Sequence, residues 1–135
     1  MTVQWSTAVR NAVLDAWETA MGASIKVQLR SGAAPANCAA ADAGTLIAEF
    51  PLSADWASSA ANGIKGLSGL PLSVNAAAAG TLGHYRFKDS AGATCHEQGT
   101  ITATGDGGDM TVDNTSVNAG QQIQITAYSK TAPGA

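Results

Sequence analysis

The sequence predicts a mainly β fold: a jelly-roll-like antiparallel β-sandwich led by one N-terminal α-helix. Three observations point there. Apolar residues recur at helical spacing once, between Ser6 and Gly22. From residue 25 to about residue 130 the recurring period is two, the pattern of half-buried strands. Turn-forming Gly, Asp, Asn and Pro cut that second region into short pieces at regular spacing, as sandwiches and jelly rolls require. The 135 residues form a single domain, with the helix over 6–22 and the sandwich over 25–130, because a chain of this size does not hold two cores.

The helix begins at Ser6, a suitable N-cap. Val9, Val13, Trp17, Ala20 and Met21 make its apolar stripe, while Arg10, Asn11, Asp15 and Glu18 fall away from it. Gly22 stands where a glycine ends a helix. The stripe is expected to cover the chain's own sheet, or else a neighbouring subunit. Ile25, Val27 and Leu29 then alternate with Lys26, Gln28 and Arg30 as the first strand. Ser31 to Gly44 is too long for a hairpin turn and reads as a surface loop. Leu46 to Leu52 is a strand with Leu46, Ala48 and Phe50 on one face, and Pro51 puts its end at an edge or bulge.

Between Ala54 and Gly80, Trp56 reads as a buried anchor. Short extended pieces carry Leu67, Leu70, Leu72 and Val74, and Ala76–Ala79 is too short for more than a turn. Tyr85 and Phe87 alternate with His84, Arg86 and Lys88. A turn at Asp89–Gly92 leads back through Thr94–Gln98 to close a hairpin, with a bulge expected at Gly99. A Gly/Asp loop over 105–109 leads to Met110 and Val112. After a turn at Asn118–Gly120, Ile123, Ile125 and Ala127 face the core and Tyr128 faces away. The tail from Thr131 to Ala135 is expected to fray.

Composition narrows the function classes. The chain has 28 alanines, 15 glycines, 13 threonines and 11 serines, about half its length, and only 13% charged residues. With 45% hydrophobic residues this is not a disordered composition. Net charge −3 offers no basic stripe for nucleic acid, and no apolar run approaches the roughly 20 residues that span a bilayer. The first five residues carry no basic-then-apolar export signal, which predicts that Cys38 and Cys95 are reduced, buried thiols.

Chemistry-bearing groups are few. Cys95 and His96 are neighbours on a strand and point to opposite faces, so they make a poor nucleophile pair or metal site. Cys38, His84, Cys95 and His96 match no zinc spacing, and both histidines read as surface residues on strands. Asp106, Asp109 and Asp113, with Asn114, leave calcium open, although turns use the same residues. The phosphate-binding, dinucleotide-binding and nucleophile-elbow motifs are missing from the sequence. No catalytic, cofactor-binding or metal residue is assigned, and no cofactor is expected. The Thr100, Thr102 and Thr104 face suits flat packing against another surface.

The opening Trp5–Ala12 with Leu14-Asp15-Ala16 and Gly22-Ala23 resembles that of small virion proteins of tailed bacteriophages. So do the Ser31–Asn37 loop, the Leu46–Leu52 strand, Gly108-Asp109-Met110 and Ala119-Gly120-Gln121. Within that group the chain is most similar to capsid cement (decoration) proteins, of the kind carried by a Bordetella podophage. The resemblance covers most of the chain except Ala54 to Gly80. It implies a jelly-roll-like structural protein, not an enzyme. Such a protein is made in the host bacterial cytoplasm and ends on the capsid exterior. Its implied partners are the major capsid protein and further copies of itself, as a dimer or trimer, with neither nucleic acid nor membrane. The competing readings are another virion part (tail, fibre or head–tail component), a carbohydrate- or receptor-binding β-sandwich, and an enzyme.

Overall fold

A computed structural model describes residues 3–134. Helix α1 spans Thr7–Met21, where the caps place it: Ser6 Oγ accepts the Val9 N–H at 3.2 Å, and Gly22, at φ 89°, donates its N–H to the Glu18 carbonyl. Nine strands follow: β1 (Lys26–Ser31), β2 (Leu46–Pro51), β3 (Ile64–Gly66), β4 (Leu72–Asn75), β5 (Gly80–Lys88), β6 (Cys95–Ala103), β7 (Met110–Val112), β8 (Ser116–Val117) and β9 (Gln122–Thr131). The chain is therefore mainly β with one helix, as expected.

The strands form one curled, mixed sheet with the shape of a half-barrel. Its order is β2-β1-β5-β6-β7-β9-β3, with β4 also on β9 and β8 on β5. The curl brings the segment after β4 back to β2, where the Ala77 N–H donates to the Ile47 carbonyl at 2.8 Å. Inside the curl lie Val27, Leu29, Ile47, Phe50, Phe87, Met110, Val112, Ile123 and Ile125, all almost wholly buried. Trp56 is buried as expected, and its indole donates to the Gly22 carbonyl at 2.8 Å.

The antiparallel expectation fails at one place. β6 and β7 run parallel, Ile101 beside Met110, across only a short connection. The threonines expected to pack flat make this possible. Asp109 accepts from the N–H and the hydroxyl of Thr100, and Thr102 Oγ1 accepts from the Gly108 N–H. The loop is thereby folded back along β6, with Gly105 and Gly107 at positive φ.

One-residue irregularities move several faces. β5 and β6 slip register between Phe87 and Lys88, leaving His96 as the extra residue, so the bulge is there and not at Gly99. Gly99 is in regular pairing with Tyr85, and it is glycine because a Cβ would sit 2.6 Å from the Tyr85 hydroxyl. A second slip, opposite Thr126, reverses the end of β9: Tyr128 faces the core and Ala127 is exposed, against expectation. A slip beside Arg30 puts Ile47 in the core in place of Leu46, which is half-buried.

The helix buries only part of the predicted stripe: Trp17 and Met21 pack against the core, but Val9 and Val13 do not. Arg10, Leu14 and Met21 are buried and Trp17 is half-buried, while Val9 and Val13 are 49% and 39% exposed. The polar residues expected to point away make the docking contacts. Arg10 donates to the carbonyls of Ala132 and Asn62. Asn11 accepts the Gly63 N–H, and Asp15 and Glu18 both reach the buried Lys65 ammonium, at 2.8 and 2.7 Å. Gly63 is glycine because a Cβ there would collide with the Arg10 guanidinium. Arg10 also corrects the frayed-tail expectation. Ala132 is buried, and the Gly134 carbonyl accepts the Trp5 N–H, so the tail is docked through residue 134; Ala135 lies outside the described residues.

Candidate functional site

The outer face of β1, β2 and β5 carries charge. Alternation places Lys26, Gln28 and Arg30 of β1 beside Lys88, Arg86 and His84 of β5, with Glu49 of β2 opposite Gln28. Cations directly opposite each other repel. Arg86 and Lys88 are nevertheless almost fully enclosed, at 1% and 3% exposure, and Arg30 is buried too, while Lys26 is half-buried. The loop expected over Ser31–Gly44 covers them. It is a surface loop, and it is also the lid of a buried ionic layer.

One carboxylate of that loop answers three cations. Asp42 binds the Arg86 guanidinium, the Lys88 ammonium at 2.9 Å and the Arg30 guanidinium at 3.1 Å. Arg86 also donates to the carbonyls of Asn37, Cys38 and Ala40, and Gln98 donates to that of Pro35 at 2.7 Å. Loop carbonyls thus take up the donors of the sheet, as buried polar groups must be satisfied. Burial alone would raise the Asp42 carboxyl, but hydrogen bonds from Lys88 and Arg86 and the charge of Arg30 outweigh it and hold the group below its ordinary 3.8. The stabilisation this adds is therefore present above pH 3.8 and lost as pH falls below it. Hydrogen exchange in acid should show the amides of residues 32–44 opening before those of β9. Simultaneous opening would deny Asp42 this role.

His84 is buried, not on the surface as expected. Its Nδ1 is 2.9 Å from the Gly32 carbonyl, and its Nε2, like Arg86 Nε, has no partner among the described residues. His96, the extra residue of the bulge, is exposed. Cys38 and Cys95, expected to be buried, are half-buried and adjacent, with 2.8 Å between their sulfurs. They line an open cleft of about 660 Å3 at the lid's edge, together with Ala39–Asp42, Arg86, Lys88, Ala93 and Thr94.

Glu97 of β6 is the centre of a second cluster, which the sequence reading missed. Its carboxylate accepts from the Trp17 indole at 3.1 Å, the Lys130 ammonium at 2.8 Å, and the hydroxyls of Tyr85 and Tyr128. Trp17, Trp56, Tyr85, Phe87 and Tyr128 pack around it with ring centroids 5.1–6.4 Å apart. All four donors saturate this carboxylate, so it serves as a bolt between helix and sheet.

Two carboxylates of the calcium candidate are engaged within the chain. Asp109 is occupied by Thr100 and Asp113 by the Gln124 N–H. Among the described residues, no three His, Cys, Asp or Glu side chains are placed to hold a metal ion. No helix among them is long and apolar enough to cross a membrane.

The remaining feature is the outward face of α1. Val9, Ala12, Val13, Ala16 and Ala20 are exposed along it, and Val3 and Trp5 precede it at 72% and 39% exposure. The face is apolar, with Thr19 at its edge, and built mostly of small residues, the composition that lets another backbone approach closely. The chain matches no protein-family model, no curated protein and no solved structure.

Proposed function

We propose that the chain is a capsid cement (decoration) protein of a tailed bacteriophage: a non-enzymatic virion protein on the capsid exterior that binds the major capsid protein and further copies of itself. The observation that carries this reading is the apolar outward face of α1. A helix normally buries its apolar stripe in its own domain. Here Leu14, Trp17 and Met21 turn inward together with polar contacts from Arg10, Asn11, Asp15 and Glu18, and Val9, Val13 and three alanines are left for a partner. The resemblance supplies the identity of that partner. In this reading the curled sheet is this chain's form of the jelly-roll-like sandwich of cement proteins.

The carbohydrate-binding alternative draws little support. Sugar platforms need exposed aromatic rings, and of the seven aromatic residues only Trp5 is exposed. The others are turned into the core or the Glu97 cluster.

A cement protein acts by differential binding. It has affinity for the assembled lattice and none for the free coat, so it stabilises the lattice by mass action. Weak contacts repeated over a shell add up. Particles lacking the protein should release DNA at lower temperature, and purified protein added from outside should restore the threshold. A Val9→Asp/Val13→Asp double variant should remain folded, because both sites are exposed, and should fail to restore it. Identical release curves with and without the protein would reject the proposal. Normal heads lacking tails would transfer it to a tail or head–tail component.

A further inference from the structure

We propose that Cys38 and Cys95 are a disulfide-forming pair, and that a low-molecular-weight disulfide such as oxidised glutathione converts them into a staple that fastens the 32–44 lid to β6. The inference is independent of the phage reading and rests on placement. The two residues are 57 positions apart, yet the Cys95 thiol donates to Cys38 Sγ at 2.8 Å. The juxtaposition is enforced from outside the pair. Arg86 grips the carbonyls of Asn37, Cys38 and Ala40, so its guanidinium holds the Cys38 backbone over the sheet. Asp42, four residues on, is pinned by Arg30, Arg86 and Lys88. On the other side the β5–β6 ladder fixes Cys95 opposite Lys88. Both thiols are half-buried and line the open cleft, so a small thiol reagent has a path to them.

The exchange balances with the named co-reactant. The Cys38 thiolate attacks one sulfur of oxidised glutathione, forming a mixed disulfide and releasing one glutathione thiolate. Cys95 then attacks Cys38 Sγ and displaces the second. The protein pair loses two electrons and two protons, and the glutathione disulfide gains them as two thiols. Burial pushes the Cys95 thiol up to about 11, with the Cys38 hydrogen bond adding to the rise and the Arg86 charge opposing it, so Cys95 gives up its proton as it attacks. The closed bond would join residues 38 and 95 and keep Asp42 over its three cations. A cross-link over such a long loop also restricts the unfolded chain.

The test uses the full-length chain, reduced, freed of reductant and exposed in its native state to oxidised glutathione. The expected result is loss of both thiols in a titration under denaturing conditions. Intact mass should fall by two hydrogens without a glutathione adduct, and a digest should contain a peptide pair joined through Cys38 and Cys95. Hydrogen exchange at residues 32–44 should slow at least tenfold in the oxidised protein, with no such change in Cys38→Ser or Cys95→Ser. Two thiols persisting in the folded protein, stable glutathione adducts in place of the internal bond, or a cross-link that leaves lid exchange unchanged would each overturn the proposal.

Discussion

Replacing Glu97 with alanine is expected to destabilise the chain by about 3–5 kcal/mol. Four donors converge on this carboxylate, but they do not lose equally. Lys130 is 43% exposed at its side chain and Trp17 is half-buried, so water can serve both. Tyr85 and Tyr128 are 2% and 5% exposed and have no such recourse. Each buried hydroxyl left without a partner costs roughly 1–3 kcal/mol, and the lost packing of the glutamate stem adds to that. The sum is a large share of the roughly 5–15 kcal/mol that holds a domain of this size. Glu97→Gln keeps one acceptor oxygen and should cost about half as much. Urea unfolding followed by tryptophan fluorescence measures both. A loss below about 1 kcal/mol for the alanine variant would mean that the ring cluster, and not the carboxylate, holds helix and sheet together.

The same cluster sets an alkaline limit. Burial first, then the neighbouring Glu97 charge, raises the Tyr85 hydroxyl above its ordinary 10.0; burial, Tyr85 and Glu97 do the same to Tyr128. A raised value means that the folded chain keeps its proton longer than the unfolded chain. Their contribution is therefore whole below pH 10.0 and drains as pH rises beyond it.

The second large effect is expected at Arg86. An Arg86→Met variant keeps most of the volume but removes the charge and every donor. Asp42 retains Lys88 and Arg30, while the carbonyls of Asn37, Cys38 and Ala40 lose the group that gathers them. Breaking one partner out of a buried ionic arrangement costs about 3–5 kcal/mol. The loss should fall on the lid before the core. Amide exchange at 32–44 should rise far more than at β9, where Ile123 and Ile125 are fully buried. Uniform loosening would show that the ionic layer belongs to the global fold and is not a local clasp.

Much of the fold was legible from neighbouring residues alone. Ser6 and Gly22 bound the helix, Asp89–Gly92 turns the β5–β6 hairpin, and period-two runs mark the long strands. Caps, turns and alternation are short-range chemistry, written within a few positions of where they act. The clusters were not legible in this way. Glu97 is one acidic residue in an ordinary strand, and its meaning comes from Trp17, Tyr85, Tyr128 and Lys130, which are 80, 12, 31 and 33 positions away. Asp42 is one acid in an alanine-rich loop until β5 comes under it.

The sequence by itself determined the mainly β class, the single helix and its ends, and the placing of most strands. Tertiary structure alone decided the inward face of the helix, of the start of β2 and of the end of β9; in β1, β5 and the start of β9 the alternation already marked it. Apolar patterning favoured Val9 and Val13, yet the helix turns Leu14 and Met21 inward and half-buries Trp17, with Arg10, Asn11, Asp15 and Glu18 beside them bonded to the Ala132 carbonyl, Gly63 and Lys65. Bulges at His96 and Thr126 each shifted the pairing by one residue, and in β9 the shift turned Tyr128 inward and Ala127 out, since successive strand side chains face opposite ways. The parallel β6–β7 pair arose because Thr100, Thr102 and Asp109 fold their loop back along the strand. Each of these outcomes depends on partners distant in sequence, and no local pattern encodes which distant group will be there to meet a side chain.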